Sequence, residues 1–292
     1  MKKLTILLMT ALTMTTCVVA CATRANDVAG ATSTDREVKN YSLRDFSRVE
    51  VSGTVRVFIA QGDHYGVRVR ESANPNLLTV VEKHGQTLHI YTKSLKKNIS
   101  LHGDKDTPVV YLIMPALSEV TGSGTSEVNV AELKTDAFSA TISGASALKM
   151  ERLSGQAVNL KCSGASKVMA ASVACTSMQS LLTGASKLEA AVNCSGNMKV
   201  DCSGASKQQL TLKADRLTIT NSGASKSVVD FRGGSVEARN SGAGKMDLTV
   251  DCKHLKATNS GASKFVIGGT ADQTDIDLSG VSKIDTRNLN KY

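Results

Sequence analysis

The sequence predicts an all-β fold: a single-stranded parallel β-helix, or solenoid, with 19–20-residue coils and an amino-terminal β-rich cap. Three observations predict it. The first is a repeat. Variants of Ser-Gly-Ala-Ser-Lys recur nine times, with glycines at 124, 144, 164, 184, 204, 223, 242, 261 and 280. The spacing is 20 four times and then 19 four times. So regular a period marks a repeat architecture, and the unit is too short for two packed helices with their turns. The second is alternation. The residues two, four and six before each glycine are mostly apolar, as in Leu278, Ile276 and the Val158-Leu160-Cys162 set, and those between are mostly polar. Four after the glycine stand Val128, Leu148, Val168, Leu188, Gln208, Ser227, Met246, Phe265 and Ile284. Side chains two apart share one face of a strand, so one face points inward in every repeat. The third is composition. Tryptophan is absent and aromatics are 3% of the chain, so the core is built from Val, Leu, Ile, Ala and Met.

Each repeat therefore holds a strand, a Ser-Gly-Ala-Ser corner and a second strand. A strand cannot hide its apolar face alone. Stacking coils about 4.8 Å apart buries all the faces in one column and satisfies the backbone between coils. Glycine suits the corner because it turns freely through positive φ.

Taken from its start, the chain opens with an export address. Lys2 and Lys3 precede an apolar, threonine-broken stretch from Leu4 to Ala20, too short to favour a permanent span. It ends in Val18-Val19-Ala20-Cys21, which resembles the lipobox of bacterial lipoproteins. The resemblance implies cleavage before Cys21 (signal 1–21) and lipid on that cysteine. The rival is an ordinary secretory signal cut near Ala20 or Ala22. Either route places the protein outside the cytoplasm, and the lipid route anchors it to the envelope, at the periplasmic face of the outer membrane or the cell surface. Residues 22–40 are small and polar without apolar period, the composition of a flexible tether. Loss of Lys2 and Lys3 lowers the formal charge by two, from +9 to +7. That is compatible with an anionic partner and gives no nucleic-acid signature.

The domain is expected over 41–286, with cap and first coils in 41–120 and regular repeats in 121–286. The cap region lacks the repeated corner but reads as strands: Val49 to Ile59, Val67-Arg68-Val69, Leu78 to Val81, Leu88-His89-Ile90 and Val109 to Ile113.

Three columns within the repeats bear on chemistry. Asn221, Asn240 and Asn259 hold the same inward position in successive coils. Buried amides need partners, and a stack satisfies each from the next, so this reads as a structural ladder. The serines before and two after each glycine recur without a periodic His or Asp, so they read as turn hydroxyls bonding nearby backbone rather than nucleophiles. Lys167, Lys187, Lys207, Lys226, Lys245, Lys264 and Lys283 stand three after the glycine in seven successive coils, pointing outward, with Glu127 and Ala147 there in the coils before. Ammoniums roughly 5 Å apart in water repel by about 0.8 kcal/mol per pair before screening. The column is either a solvated face that keeps the rod soluble or a linear anion site for acidic glycan, lipid phosphate or a partner's carboxylates.

Five cysteines follow the signal: Cys162, Cys175, Cys194, Cys202 and Cys252. An odd count leaves at least one unpaired within the chain. Cys162 and Cys202 share a column with Leu182 between them, beyond disulfide reach. Cys175 and Cys194 either meet on neighbouring coils or serve, like the others, as buried apolar filler. No spacing suggests a zinc site, the histidines are scattered, and no cofactor or metal is expected.

The Phe46-to-Ile59 strand with Gln61-Gly62-Asp63, the Gly85-Gln86-Thr87-Leu88-His89-Ile90 segment and the repeated corners resemble the auto-transporter adhesin head family, also called the GIN domain family. The resemblance covers about Tyr41 to Thr286. It implies an exported β-helical envelope protein, often a lipoprotein, and supplies no catalytic residues. The function expected is thus a non-catalytic, adhesin-like envelope module. The alternatives are a polysaccharide-active β-helix enzyme (lyase or hydrolase) and a structural or regulatory component that binds another envelope protein. The enzyme reading is disfavoured because Glu127, Glu151 and Asp201 share no column and tryptophan platforms are missing.

Overall fold

The computed structural model describes residues 38–97 and 105–291. The signal segment, Cys21 and the tether up to residue 37 lie outside them. The first strand, β1 (Val38–Tyr41), takes in the last three residues assigned to the tether, because it pairs antiparallel with β4 (Gly66–Arg70).

Between these two, β2 (Arg48–Ser52) and β3 (Arg56–Gln61) form the first coil around Ser52-Gly53-Thr54. An excursion follows before the second coil: β4, then the hairpin β5 (Leu77–His84) and β6 (Thr87–Ser94), then β7 (Val109–Met114). β4 lies antiparallel on β7, which lies parallel on β3. β5 lies antiparallel on β6, which lies parallel on β2. Antiparallel strands thus close this end of the rod.

The second coil begins with β8 (Glu119–Gly122), parallel to β2, and continues into β9 (Glu127–Ile142), parallel to β3. Gly53 therefore heads the column of corner glycines, one coil ahead of the nine read from the repeat. Its motif went unread because residues 62–118 separate it from the next corner.

From β9 the ladder is parallel, and its register shifts at two irregularities, between Ala170 and Val173 and between Val266 and Gly268. It runs through β10 (Ala147–Cys162), the pair β11 (Lys167–Cys175) and β12 (Ser177–Leu182), and the pair β13 (Lys187–Cys194) and β14 (Asn197–Cys202). It continues through β15 (Lys207–Asn221), β16 (Lys226–Asn240), β17 (Lys245–Asn259), β18 (Lys264–Leu278) and β19 (Lys283–Lys291). The solenoid reaches five residues beyond the expected boundary at 286, because β19 stays hydrogen-bonded to β18 as far as Lys291. The change from 20 to 19 residues falls at the corner opposite the serines: Asn193 faces Lys213, whereas Asn197 faces Arg216.

Inward side chains form one continuous core from Phe46 to Ala271. Leu148, Val168, Leu188, Met246 and Phe265 are each fully buried in a single column. Gln208 and Ser227 interrupt it: Gln208 Nε2 donates to Ser227 Oγ at 2.7 Å, and Ser227 Oγ donates in turn to Asn221 Oδ1 at 2.9 Å.

Candidate functional site

Backbone geometry fixes the lysine column. Each lysine opens the first strand of its coil, directly after the corner. Its N–H donates to the carbonyl of the residue before the column position one coil earlier: Lys207 to Ser186 (2.9 Å), Lys226 to Ser206 (2.9 Å) and Lys245 to Ser225 (2.9 Å). Lys167, Lys187, Lys207, Lys226, Lys245, Lys264 and Lys283 are consecutive register partners. Above them the column reads Arg56, Glu127 and Ala147. Glu127 is gripped by Lys149 Nζ (2.5 Å) and Arg56 Nε (3.2 Å). Burial works against its charge, but these two cations overcome that and hold the carboxyl below its usual range.

The register also reveals a carboxylate column that the sequence reading did not find. Two residues after each lysine stand Met169, Glu189, Gln209, Val228, Asp247, Val266 and Asp285. Glu189 pairs with Lys187, and Asp247 with Lys245 at 2.8 Å. The Lys187 ammonium, bonded to Glu189, holds that carboxyl below its usual range. Asp285 is drawn mainly to Arg287, which brings it down to about 2. Between the two paired lysines lie Lys207 and Lys226, flanked by uncharged Gln209 and by Val228, itself exposed. Among the described residues, neither of these two lysines has a salt bridge. Among the described residues Lys167, Lys264 and Lys283 have no salt bridge either, so unpaired cations stand at the centre and towards both ends of the column.

The inner face of the corners holds this array from behind. Asn221 Nδ2 donates to Asn240 Oδ1 at 2.7 Å, and Asn240 Nδ2 to Asn259 Oδ1 at 2.8 Å. The same amides reach the backbone carbonyls of the lysines one coil on: Asn240 to Lys264 at 3.1 Å and Asn259 to Lys283 at 3.0 Å. The second serine of the corner is buried at 126, 146, 166, 186, 206, 225 and 263, whereas Gly244 stands in its place in one coil and Ser282 is only partly buried. Ser146 Oγ donates to the Ser143 carbonyl at 2.5 Å, and Ser263 Oγ lies between Asn259 Oδ1 and the Ser260 carbonyl at 2.6 and 2.7 Å. Among the described residues the Ser126, Ser166 and Ser186 hydroxyls have no hydrogen-bond partner, and no histidine or carboxylate is hydrogen-bonded to any of these serine hydroxyls.

All five cysteines are buried free thiols. Cys175 and Cys194 are register partners on adjacent coils, whereas Leu182 separates Cys162 from Cys202. Burial pushes the Cys162 thiol up to about 12 and raises Cys202. Burial, with Cys194 beside it, pushes Cys175 up to about 12.

Histidines that looked scattered partly converge. β5 and β6 bring His84 and His89 rings to 5.1 Å, and Glu50 Oε2 lies 3.1 Å from His89 Nδ1. With Glu82 and Tyr91 they line a shallow cavity of about 290 Å³. Among the described residues no group of three or more His, Cys, Asp or Glu side chains is placed to hold a metal ion.

Known proteins share this architecture. A crystal structure described as a putative adhesin from Parabacteroides distasonis superimposes with a TM-score of 0.62 at 14% identity, over 86% of this chain and 96% of that one. One described as a putative lipid binding protein from the same species gives a TM-score of 0.51 at 15% identity, over 86% of this chain and 96% of that one. At such identities the likeness shows the fold alone. No curated protein matches the sequence. The profile of the family described as "Putative auto-transporter adhesin, head GIN domain" matches residues 45–229 and 213–291, nearly all of the solenoid, and the chain belongs to that family.

Proposed function

We propose that this protein is a non-catalytic binding module of the cell envelope, anchored through lipid on Cys21, that presents its lysine column to an anionic partner. The observation that carries the reading is the in-register run of seven lysines, with an unneutralised centre at Lys207 and Lys226. Family membership supports the adhesin-like role and the envelope location. The neighbour described as lipid-binding fits an anionic headgroup as one source of the ligand charge, and acidic glycan is the other.

Binding of the purified protein to an acidic polysaccharide and to vesicles containing anionic lipid tests this reading. Each lysine near an anionic surface contributes about 1 kcal/mol, so Lys207→Gln with Lys226→Gln should weaken binding roughly tenfold or more. Adding Lys187→Gln and Lys245→Gln should cost less per residue, because those two are already paired. Binding should also fall as salt is raised. Unchanged affinity in the four-lysine variant overturns the proposal. The anchor has its own check: Cys21→Ala should move the protein from the membrane to the soluble fraction of the envelope, and retention in the membrane rules the lipid out.

A further inference from the structure

The two ends of the rod are built differently. At one end β6 and β7 lie on the first coil, with antiparallel β5 and β4 beyond them. At the other, β19 covers only Lys264–Ala271 of β18, and no described strand pairs with the far edge of residues 272–278. Among the described residues the ladder thus ends on a step one strand high: β19 lies on one half of the last full coil, and no described strand lies on the other half.

The uncovered half shows what an unpaired edge exposes. Leu255, Ala257 and Asn259 are fully buried one coil earlier, yet Ile276 and Leu278 above them are not, and Leu278 is 57% exposed. At the corner between the halves Val281 is 83% exposed. Ile284 and Leu289 of β19 are only partly buried on the core. An open strand edge with apolar residues beside it is a template for another strand.

The charges of the two halves differ in sign. Residues 272–278 carry Asp272, Asp275 and Asp277 and no cation. Residues 283–291 carry Lys283, Arg287 and Lys291 against the single acid Asp285. The half that protrudes is thus basic, and the half that is uncovered is acidic.

We infer that the protein forms a two-fold dimer through this end, each copy laying its β19 antiparallel onto the open edge of the partner's β18. A step of this kind is self-complementary under a two-fold axis across the end of the rod: the protruding half of one copy covers the uncovered half of the other, and the reverse holds at once. Such an isologous contact joins the basic half to the acidic half twice and closes, so it makes pairs and not fibres. It covers Leu278, Val281, Ile284 and Leu289 of both copies and supplies the absent backbone partners of β18. The two rods would lie end to end with their covered ends outermost. This inference does not rest on the anion-binding reading.

Sedimentation equilibrium of the purified protein over a range of concentrations tests it. The wild type should shift from one to two chain masses as concentration rises. Asp272→Lys with Asp277→Lys places cation against cation at both contacts and should leave monomers. Lys283→Glu with Arg287→Glu places acid against acid and should do the same. The two variants mixed in equal amounts should recover the dimer mass, because one contact is then native and the other doubly reversed. Circular dichroism and thermal melts check that each variant is folded. A wild type that stays monomeric throughout, reversals that leave the dimer intact, or a mixture that stays monomeric each overturns the inference.

Discussion

Gly204→Ala should lower the stability of the protein by about 2–5 kcal/mol, read as a clear fall in the urea midpoint. Two costs combine at this corner. The residue has φ +72°, where an L side chain costs about 1–2 kcal/mol. A Cβ there would also stand 2.6 Å from the carbonyl oxygen of Gly184 and 3.0 Å from its nitrogen. Relief requires the coils to part, yet they are held on both sides: Ala205 N–H donates to the Gly184 carbonyl, and Ala224 N–H to the Gly204 carbonyl, each at 2.8 Å. Crowding of this kind in a packed stack typically costs about 1–3 kcal/mol more. Gly85 separates the two terms. It too has positive φ (+59°), but a Cβ there meets nothing within 4 Å. Gly85→Ala should therefore cost only the backbone share, about 1–2 kcal/mol. Equal losses at the two positions would show that stacking contributes nothing.

This pair of glycines also shows what a sequence makes legible. Gly204 is readable because every coil must solve the same corner in the same way, so the solution repeats at a fixed interval. Gly53 solves it as well, in Ser52-Gly53-Thr54, but an excursion of two β-pairs follows it and the interval is lost. The lysine column was readable for the same reason as Gly204. Its neighbours were less so, because Glu189, Asp247 and Asp285 alternate with Gln209, Val228 and Val266 and present no uniform residue type. Yet they decide where along the column charge is free. The meeting of Glu50 with His89 was not readable at all, since it depends on a parallel pairing between β2 and β6 that no local pattern announces. The step at the end of the ladder depends likewise on where β19 stops covering β18, a matter of pairing and not of composition.

The asparagine ladder carries the second large effect. Asn240→Leu should destabilise the protein by about 2–4 kcal/mol, although leucine keeps the branched outline of the side chain. Asn240 is at most 1% exposed, and its amide takes part in three hydrogen bonds: from Asn221 Nδ2, to Asn259 Oδ1 and to the Lys264 carbonyl. Leucine removes all three. Asn221 Nδ2 is left with only longer approaches, to Ser225 O at 3.4 Å and Lys245 O at 3.5 Å. Asn259 suffers less, because its Oδ1 keeps the Ser263 hydroxyl at 2.6 Å. Most of the loss thus comes from polar groups stranded in a dry core, not from bonds removed. That origin predicts strong non-additivity. The same column is apolar in earlier coils, at Ile142, Cys162, Leu182 and Cys202, and these are buried without difficulty. Replacing Asn221, Asn240 and Asn259 together by leucine leaves no amide stranded, so the triple variant should lose well under three times the single loss. The serines at 225 and 263 and the carbonyls of Lys245, Lys264 and Lys283 still lose partners, which keeps the triple change from being neutral. A single replacement that lowers the unfolding free energy in urea titrations by less than about 1 kcal/mol would mean that the amides are not engaged as the distances imply. Losses that simply add would mean that each asparagine acts alone, and the stack would then be three separate capping residues rather than a ladder behind the lysines.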